Sequence, residues 1–145
     1  MVNYKTLRNL LPMSEKSKRN PFAKLLENVK LSAKYGAKGG SFSKYQHLEE
    51  KEVSINAEVL KEIFIEQGGL CHWLKIPLDP YDIFVKSHPL AISVDRLDNS
   101  KGYSRDNIVI CSRLMNLGKS SADAMLWESV IDRLELYGSI KNRRT

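Results

Sequence analysis

An α+β fold is the class this sequence predicts, and three observations carry the prediction. Two stretches of helical apolar period precede residue 68, two short β-rich runs lie between residues 91 and 110, and a further helical period follows residue 121. A chain of 145 residues can form one core but not two domains of ordinary size. The expected organisation is a basic helical arm and loop over residues 1–50, a core over 51–120, and a C-terminal helix with a basic tail over 121–145.

Each element has its own signals. Phe22, Leu25, Leu26, Val29 and Leu31 roughly follow a helical period, with Asn20 as cap and Gly36 as stop, predicting a helix over Pro21–Tyr35. Gly- and Ser-rich residues 37–43 predict a loop that polar residues 45–51 extend. A second helix is expected to start near Asn56, bury Val59, Leu60, Ile63 and Phe64, and stop at Gly68-Gly69. Leu70–Leu78 suggests a strand or hairpin arm, and Asp79–Pro89 reads as irregular. Residues 91–95 alternate like a strand, 99–106 supply turn residues, and Ile108-Val109-Ile110 makes a second β run. Ser112 can cap a helix through Leu114 and Asn116. The last helix is expected over Ser121–Tyr137, burying Met125, Leu126, Val130, Ile131 and Leu134 and ending at Gly138.

Composition narrows the partners. The net charge of +6 is concentrated near the start: residues 1–40 hold nine Lys or Arg against Glu15 and Glu27, whereas residues 41–145 hold fourteen against fifteen acidic residues. Such a segment attracts a polyanion, because each neutralised phosphate releases condensed counterions; a solvated helix face is the plainer reading. Nucleic acid is preferred to a membrane surface because no aromatic or Leu-rich face opposes the charges. No apolar run approaches the length of a bilayer span and no signal-peptide pattern is present, so a cytoplasmic protein is expected. Cys71 and Cys111 are too few for a disulfide framework and fit a reducing compartment as buried apolar side chains.

The chemistry is concentrated in Ser93-Val94-Asp95-Arg96-Leu97-Asp98, Lys101-Gly102-Tyr103-Ser104, Asp106-Asn107-Ile108-Val109-Ile110-Cys111 and Asn116-Leu117-Gly118-Lys119. If strand, strand and helix fold together, Asp95 leaves the first strand where Asn116 projects from the helix. A carboxylate and an amide oxygen are hard donors suited to Mg²⁺, or to a similar cation such as Mn²⁺, which takes phosphate oxygens as further ligands. Taken singly, Asp95 pairing with Arg96, Asp98 and Asn99 forming a turn, and Asn116, Arg113 and Lys119 lying solvated on a helix are the plainer readings.

The ordered set of motifs resembles the HNH endonucleases with the ββα-metal fold, in particular a group common among phage proteins and found in some restriction enzymes. That group has an Asp-Arg pair, a Gly-Tyr loop, an Asn opening the second strand and Asn-x-x-Lys in the helix. Upstream, Gln67-Gly68-Gly69-Leu70-Cys71 and Ile76-Pro77-Leu78 look like the family's Gln-Gly-x-Cys and Gly-Ile-Pro-Leu segment, so the resemblance covers roughly residues 52 to 120.

The resemblance implies a metal-dependent DNA endonuclease that hydrolyses phosphodiester bonds by in-line attack of water, leaving a 5′-phosphate. It implies Asp95 and Asn116 as metal ligands, and Asn107 as a brace for the loop between the strands. Arg96 stands where many members have the histidine that deprotonates water; a guanidinium cannot be a base near neutral pH, so Arg96 is expected to grip the phosphate. His47 is the preferred base, with an exposed loop histidine as the plainer alternative, although Lys51 lies closer to the family's position. Arg113, Lys119, Lys101, Lys16, Lys18 and Arg19 are the expected DNA contacts. His72 is expected to pack beside Trp73, and His88 to lie at the surface.

Two departures bear on structure. Leu74, Ser112 and Met115 stand where relatives place zinc thiolates, so no structural zinc is expected, and Lys75 stands where the family usually has glycine. The expected partner is double-stranded DNA, with no membrane and a homodimer left open; if phage-encoded, the protein would act in the host cytoplasm. The rivals are a catalytically inactive DNA-binding protein on the same fold and an RNA-binding protein.

Overall fold

The computed structural model describes residues 19–35 and 50–142. Helices α1 (Pro21–Tyr35) and α2 (Ala57–Glu66) precede a 3-10 turn at Pro80–Phe84, strands β1 (Ile92–Arg96) and β2 (Ile108–Ser112), and helices α3 (Arg113–Lys119) and α4 (Ala124–Asn142). Helices are thus combined with a two-stranded antiparallel sheet, an α+β arrangement. Among the described residues, no helix is long and apolar enough to cross a membrane.

Local chemistry accounts for the first two helices. Asn20 Oδ1 accepts from the backbone N–H groups of Phe22 and Ala23 at 2.9 and 3.3 Å, with Pro21 at the first helical position. Helix α1 buries Phe22, Leu25, Val29 and Ala33 and leaves Leu31 exposed. Phe22 meets Phe64 of α2 with ring centroids 5.6 Å apart. The helix therefore belongs to the same core as residues 51–120, and the boundary expected at residue 50 does not divide it. Asn56 caps α2 by accepting from Val59 N–H at 2.9 Å, and Gly68 and Gly69 end it with φ of 67° and 71°, a conformation that costs glycine little. Leu60 and Ile63 are buried, whereas Val59 and Phe64 are partly covered.

Between the helices and the sheet the chain is less regular than the sequence suggests. Residues 70–78 take the hairpin alternative: turns closed by one antiparallel bridge, Leu70 to Pro77, without a regular strand. Lys75 has φ of 56°, in the left-handed region that glycine adopts most readily. Within the stretch expected to be irregular, Asp79 caps the 3-10 turn by accepting from Tyr81 N–H at 2.9 Å.

The sheet pairs Ile92 with Ser112, Val94 with Ile110 and Arg96 with Ile108. All five residues of β2 are buried. Its outer edge is closed by Gln67, whose Oε1 accepts from Ile110 N–H at 2.9 Å while Nε2 donates to Ile110 O at 2.7 Å. Ser112 then caps α3, its hydroxyl accepting from Met115 N–H at 3.3 Å.

Helix α4 departs from expectation. It starts at Ala124 behind the cap Asp123, whose carboxylate accepts from Leu126 N–H at 2.8 Å, and runs through Gly138 to Asn142. Ile131 is buried, but Met125, Leu126 and Leu134 are 75%, 56% and 56% exposed. The helix meets the core through a narrow seam of Ala124, Trp127 and Ile131, so apolar residues off that seam gain no cover. Trp127 lies against Gly118, where an added Cβ would stand 3.1 Å from the ring.

Candidate functional site

A buried amide braces the β1–β2 loop. Asn107 Oδ1 accepts from Asp98 N–H at 2.9 Å, and its Nδ2 donates to Asp98 O at 3.0 Å and Gly102 O at 2.9 Å. The side chain is buried, so the satisfied amide fixes the loop's path without exposing chemistry of its own. At the tip, Ser100 donates through its backbone N–H and hydroxyl to Asp98 Oδ1. The hydroxyl bond, then the backbone one, holds the exposed Asp98 carboxyl below its usual range.

Above this loop lies Asp95, only 3% exposed. Its Oδ2 accepts from Trp73 Nε1 at 3.0 Å and its Oδ1 from the Lys119 ammonium at 3.1 Å. Lys119 also donates to Arg96 O at 3.0 Å and is 1% exposed. Asn116 Nδ2 donates to Ser93 Oγ at 2.7 Å and Val94 O at 3.1 Å. Asn116 Oδ1 accepts no hydrogen bond among the described residues.

This corrects the register expected between strand and helix. Ser93 and Asp95, two apart on one strand face, are met by Asn116 and Lys119, three apart on one helix face. Asn116 lies over Ser93, and Lys119, not Asn116, bonds Asp95. One turn beyond Asn116 on the same face, Lys119 points its ammonium inward to Asp95, although the sequence predicts it on the phosphate-facing side. Neither Ser93 nor Trp73 has a site role in the sequence reading. The i, i+2 pairing of Ser93 with Asp95 was the signal for the first; the bond from Trp73 spans 22 residues and had none.

Arg96 is anchored rather than free. Its Nη1 donates to Asn99 O at 3.2 Å and Lys101 O at 2.9 Å, and the guanidinium stands 5.0 Å from the Tyr103 ring centroid. Lys51 donates to Ser100 O of the same loop at 3.1 Å. Lys101 is exposed, 3.5 Å from Asp98, and Arg113 is exposed on α3. Arg19 stands 5.7 Å from the Phe84 ring centroid, away from these side chains. His47, Lys16 and Lys18 lie outside the described residues.

The other histidines differ in setting. His72 is half-buried with its ring edge-on to Trp73, centroids 4.7 Å apart. Burial, then Lys75, holds its imidazole below the usual value, against the opposing pull of Asp95 and Glu128. His88 Nδ1 accepts from Leu90 N–H at 3.1 Å, 3.8 Å from Asp82. Cys71 Sγ accepts from Ser112 N–H at 3.3 Å, and burial pushes the Cys111 thiol far up. Among the described residues, no group of three or more His, Cys, Asp or Glu side chains could hold a metal ion.

In comparison with known proteins, the chain matches no family model, no curated protein and no solved structure.

Proposed function

We propose that the protein is a metal-dependent DNA endonuclease of the HNH type, acting on double-stranded DNA. One observation carries the reading: a buried carboxylate, Asp95, and the Arg96 carbonyl share a cationic partner, the Lys119 ammonium, so this end of β1 is an oxygen-lined cation position. A carboxylate and a carbonyl are hard oxygen donors that suit Mg²⁺ or Mn²⁺, and Asn116 one helical turn before Lys119 could add its amide oxygen. Asp95 and Asn116 would hold the ion, which when bound would neutralise charge on a scissile phosphate and stabilise the departing oxygen.

The chain's own residues supply the rest. Asn107 keeps the loop in place, so that Arg96, fixed through one nitrogen, can present its remaining N–H groups to a phosphate oxygen. Trp73 orients the Asp95 carboxylate. His47 is the proposed base. Lys101, Arg113 and the basic residues Lys16, Lys18 and Arg19 are the proposed phosphate contacts, with Lys119 joining them only when released from Asp95.

The test is incubation of the purified protein with supercoiled plasmid in Mg²⁺ or in chelator. Nicking in Mg²⁺ alone is expected, and Asn116→Ala should abolish it while DNA binding persists. Wild-type nicking by the folded Asn116→Ala protein would remove the amide from the metal site. A second reading, a non-catalytic DNA-binding protein of the same fold, is favoured by the satisfaction of both Asp95 oxygens within the chain. DNA binding without nicking under any divalent cation would select it.

A further inference from the structure

We infer that Lys119 is an internal stand-in for the divalent cation, exchanged on metal binding, so that the metal-free pair is charge-neutral and the loaded site cationic. This rests on the reading of Asp95 as a metal ligand. The Asp95 carboxylate accepts from Trp73 at Oδ2 and from Lys119 at Oδ1, 3.1 Å from the ammonium. A divalent ion on Oδ1 would stand beside that ammonium at a site where Asp95 and Lys119 are buried, and repulsion between the two cations favours release of Lys119. The indole N–H belongs to a buried ring packed in the core, whereas the ammonium ends a flexible four-carbon stem.

Its position on the helix suits exchange. Lys119 is the last residue of α3, and Ser120 beyond it has φ of 50° and ψ of −120°, so the ammonium can leave by a change confined to the helix end. Just beyond, Asn99 Nδ2 donates to Ser121 O and Ala122 O at 3.2 and 3.3 Å, which ties the following segment to the β1–β2 loop as Lys119 moves.

The charges give the exchange a consequence. With Lys119 in place, one carboxylate meets one ammonium and the pair sums to zero. With a divalent ion in place, the ion and Asp95 sum to one positive charge, and the released ammonium adds a second beside the phosphate. Metal and DNA are therefore coupled: each must strengthen the binding of the other by the same factor.

Two measurements test the exchange. Wild-type protein is treated with acetic anhydride without and with saturating Mn²⁺, and lysine acetylation is read by mass spectrometry. Exposed Lys101 should react in both conditions, and Lys119 only with Mn²⁺. Mn²⁺ affinity is then measured by electron paramagnetic resonance for wild type, Lys119→Met and Asp95→Asn/Lys119→Met. Lys119→Met should bind about tenfold more tightly or better, a change of about 1.4 kcal/mol, and the double variant should lose the site. Mn²⁺ binding with Lys119 still protected, or no tighter in Lys119→Met, overturns the exchange but leaves the metal site standing. If neither protein binds Mn²⁺, the metal-site reading falls as well. Should Lys119→Met fail to fold, the wild-type acetylation result decides alone.

Discussion

Asp95 and Lys119 neutralise one another at side-chain exposures of 4% and 0%, and at that depth removing one partner costs more than the pair itself contributes. Asp95→Asn should retain the bond from Trp73 but strand the ammonium, destabilising the protein by about 3–5 kcal/mol. Urea unfolding checks this, with Asp95→Asn/Lys119→Met expected to recover most of the loss; a single variant within about 0.5 kcal/mol of wild type, the range of an ordinary surface change, would mean the pair does not form. Asn116→Ala is therefore the cleaner test of catalysis, since it strands no charge. His72 makes a pH prediction. Its folded-state value lies below the unfolded one, through burial and then Lys75. The neutral ring thus favours the fold, and this contribution is present above about pH 6.5 and lost as pH falls through the folded value. His72→Gln should flatten the fall in urea midpoint between neutral pH and about pH 5.5; an unchanged profile assigns that fall to other groups.

Elements whose signals are local were legible in the sequence, and those set by distant partners were not. Asn20, Asn56 and Ser112 cap the helices they precede, and the alternating run before Asp95 is a strand. The exposed face of α4 could not be read, because Met125, Leu126 and Leu134 have apolar spacing whether or not anything covers them. Gly138 likewise ends a helix only if the chain turns there. In the candidate site, Asp95, Arg96, Asn107 and Asn116 were legible as residues, while the partner of Asp95 depended on a helix-to-strand register no local pattern fixes. The β1–β2 loop offers an element-scale test. Tyr103 N–H donates to Glu52 O at 2.8 Å, and a Cβ on Gly102 would stand 2.5 Å from that same oxygen. Backbone cannot yield as a side chain end can, so Gly102→Ala should cost about 1–3 kcal/mol and speed exchange of the Tyr103 amide. A midpoint and exchange rate equal to wild type would show that the two segments do not approach so closely.

For the whole molecule, the uneven charge and the extent of the core give different answers about the N-terminal fifty residues. Phe22, Leu25, Val29 and Ala33 of α1 are core, so no truncation through that helix can separate DNA binding from folding. Asn20 sets the limit, since it caps α1. Residues 1–18 carry Lys5, Arg8, Lys16 and Lys18 against Glu15, and removing them leaves both the cap and the β1–β2–α3 site in the chain. If this segment neutralises phosphates, its deletion should weaken binding to duplex DNA and make the dependence of log affinity on log salt shallower by about 0.9 for each phosphate it had neutralised. Deletion and full-length proteins should then differ most at low salt and converge as salt rises, with the same metal requirement for nicking in both. Thermal unfolding of the two should agree, which separates weaker phosphate binding from a damaged fold. An identical salt slope in the deletion protein would take residues 1–18 out of the DNA interface and leave the exposed Arg113 and Lys101 among its proposed cationic groups.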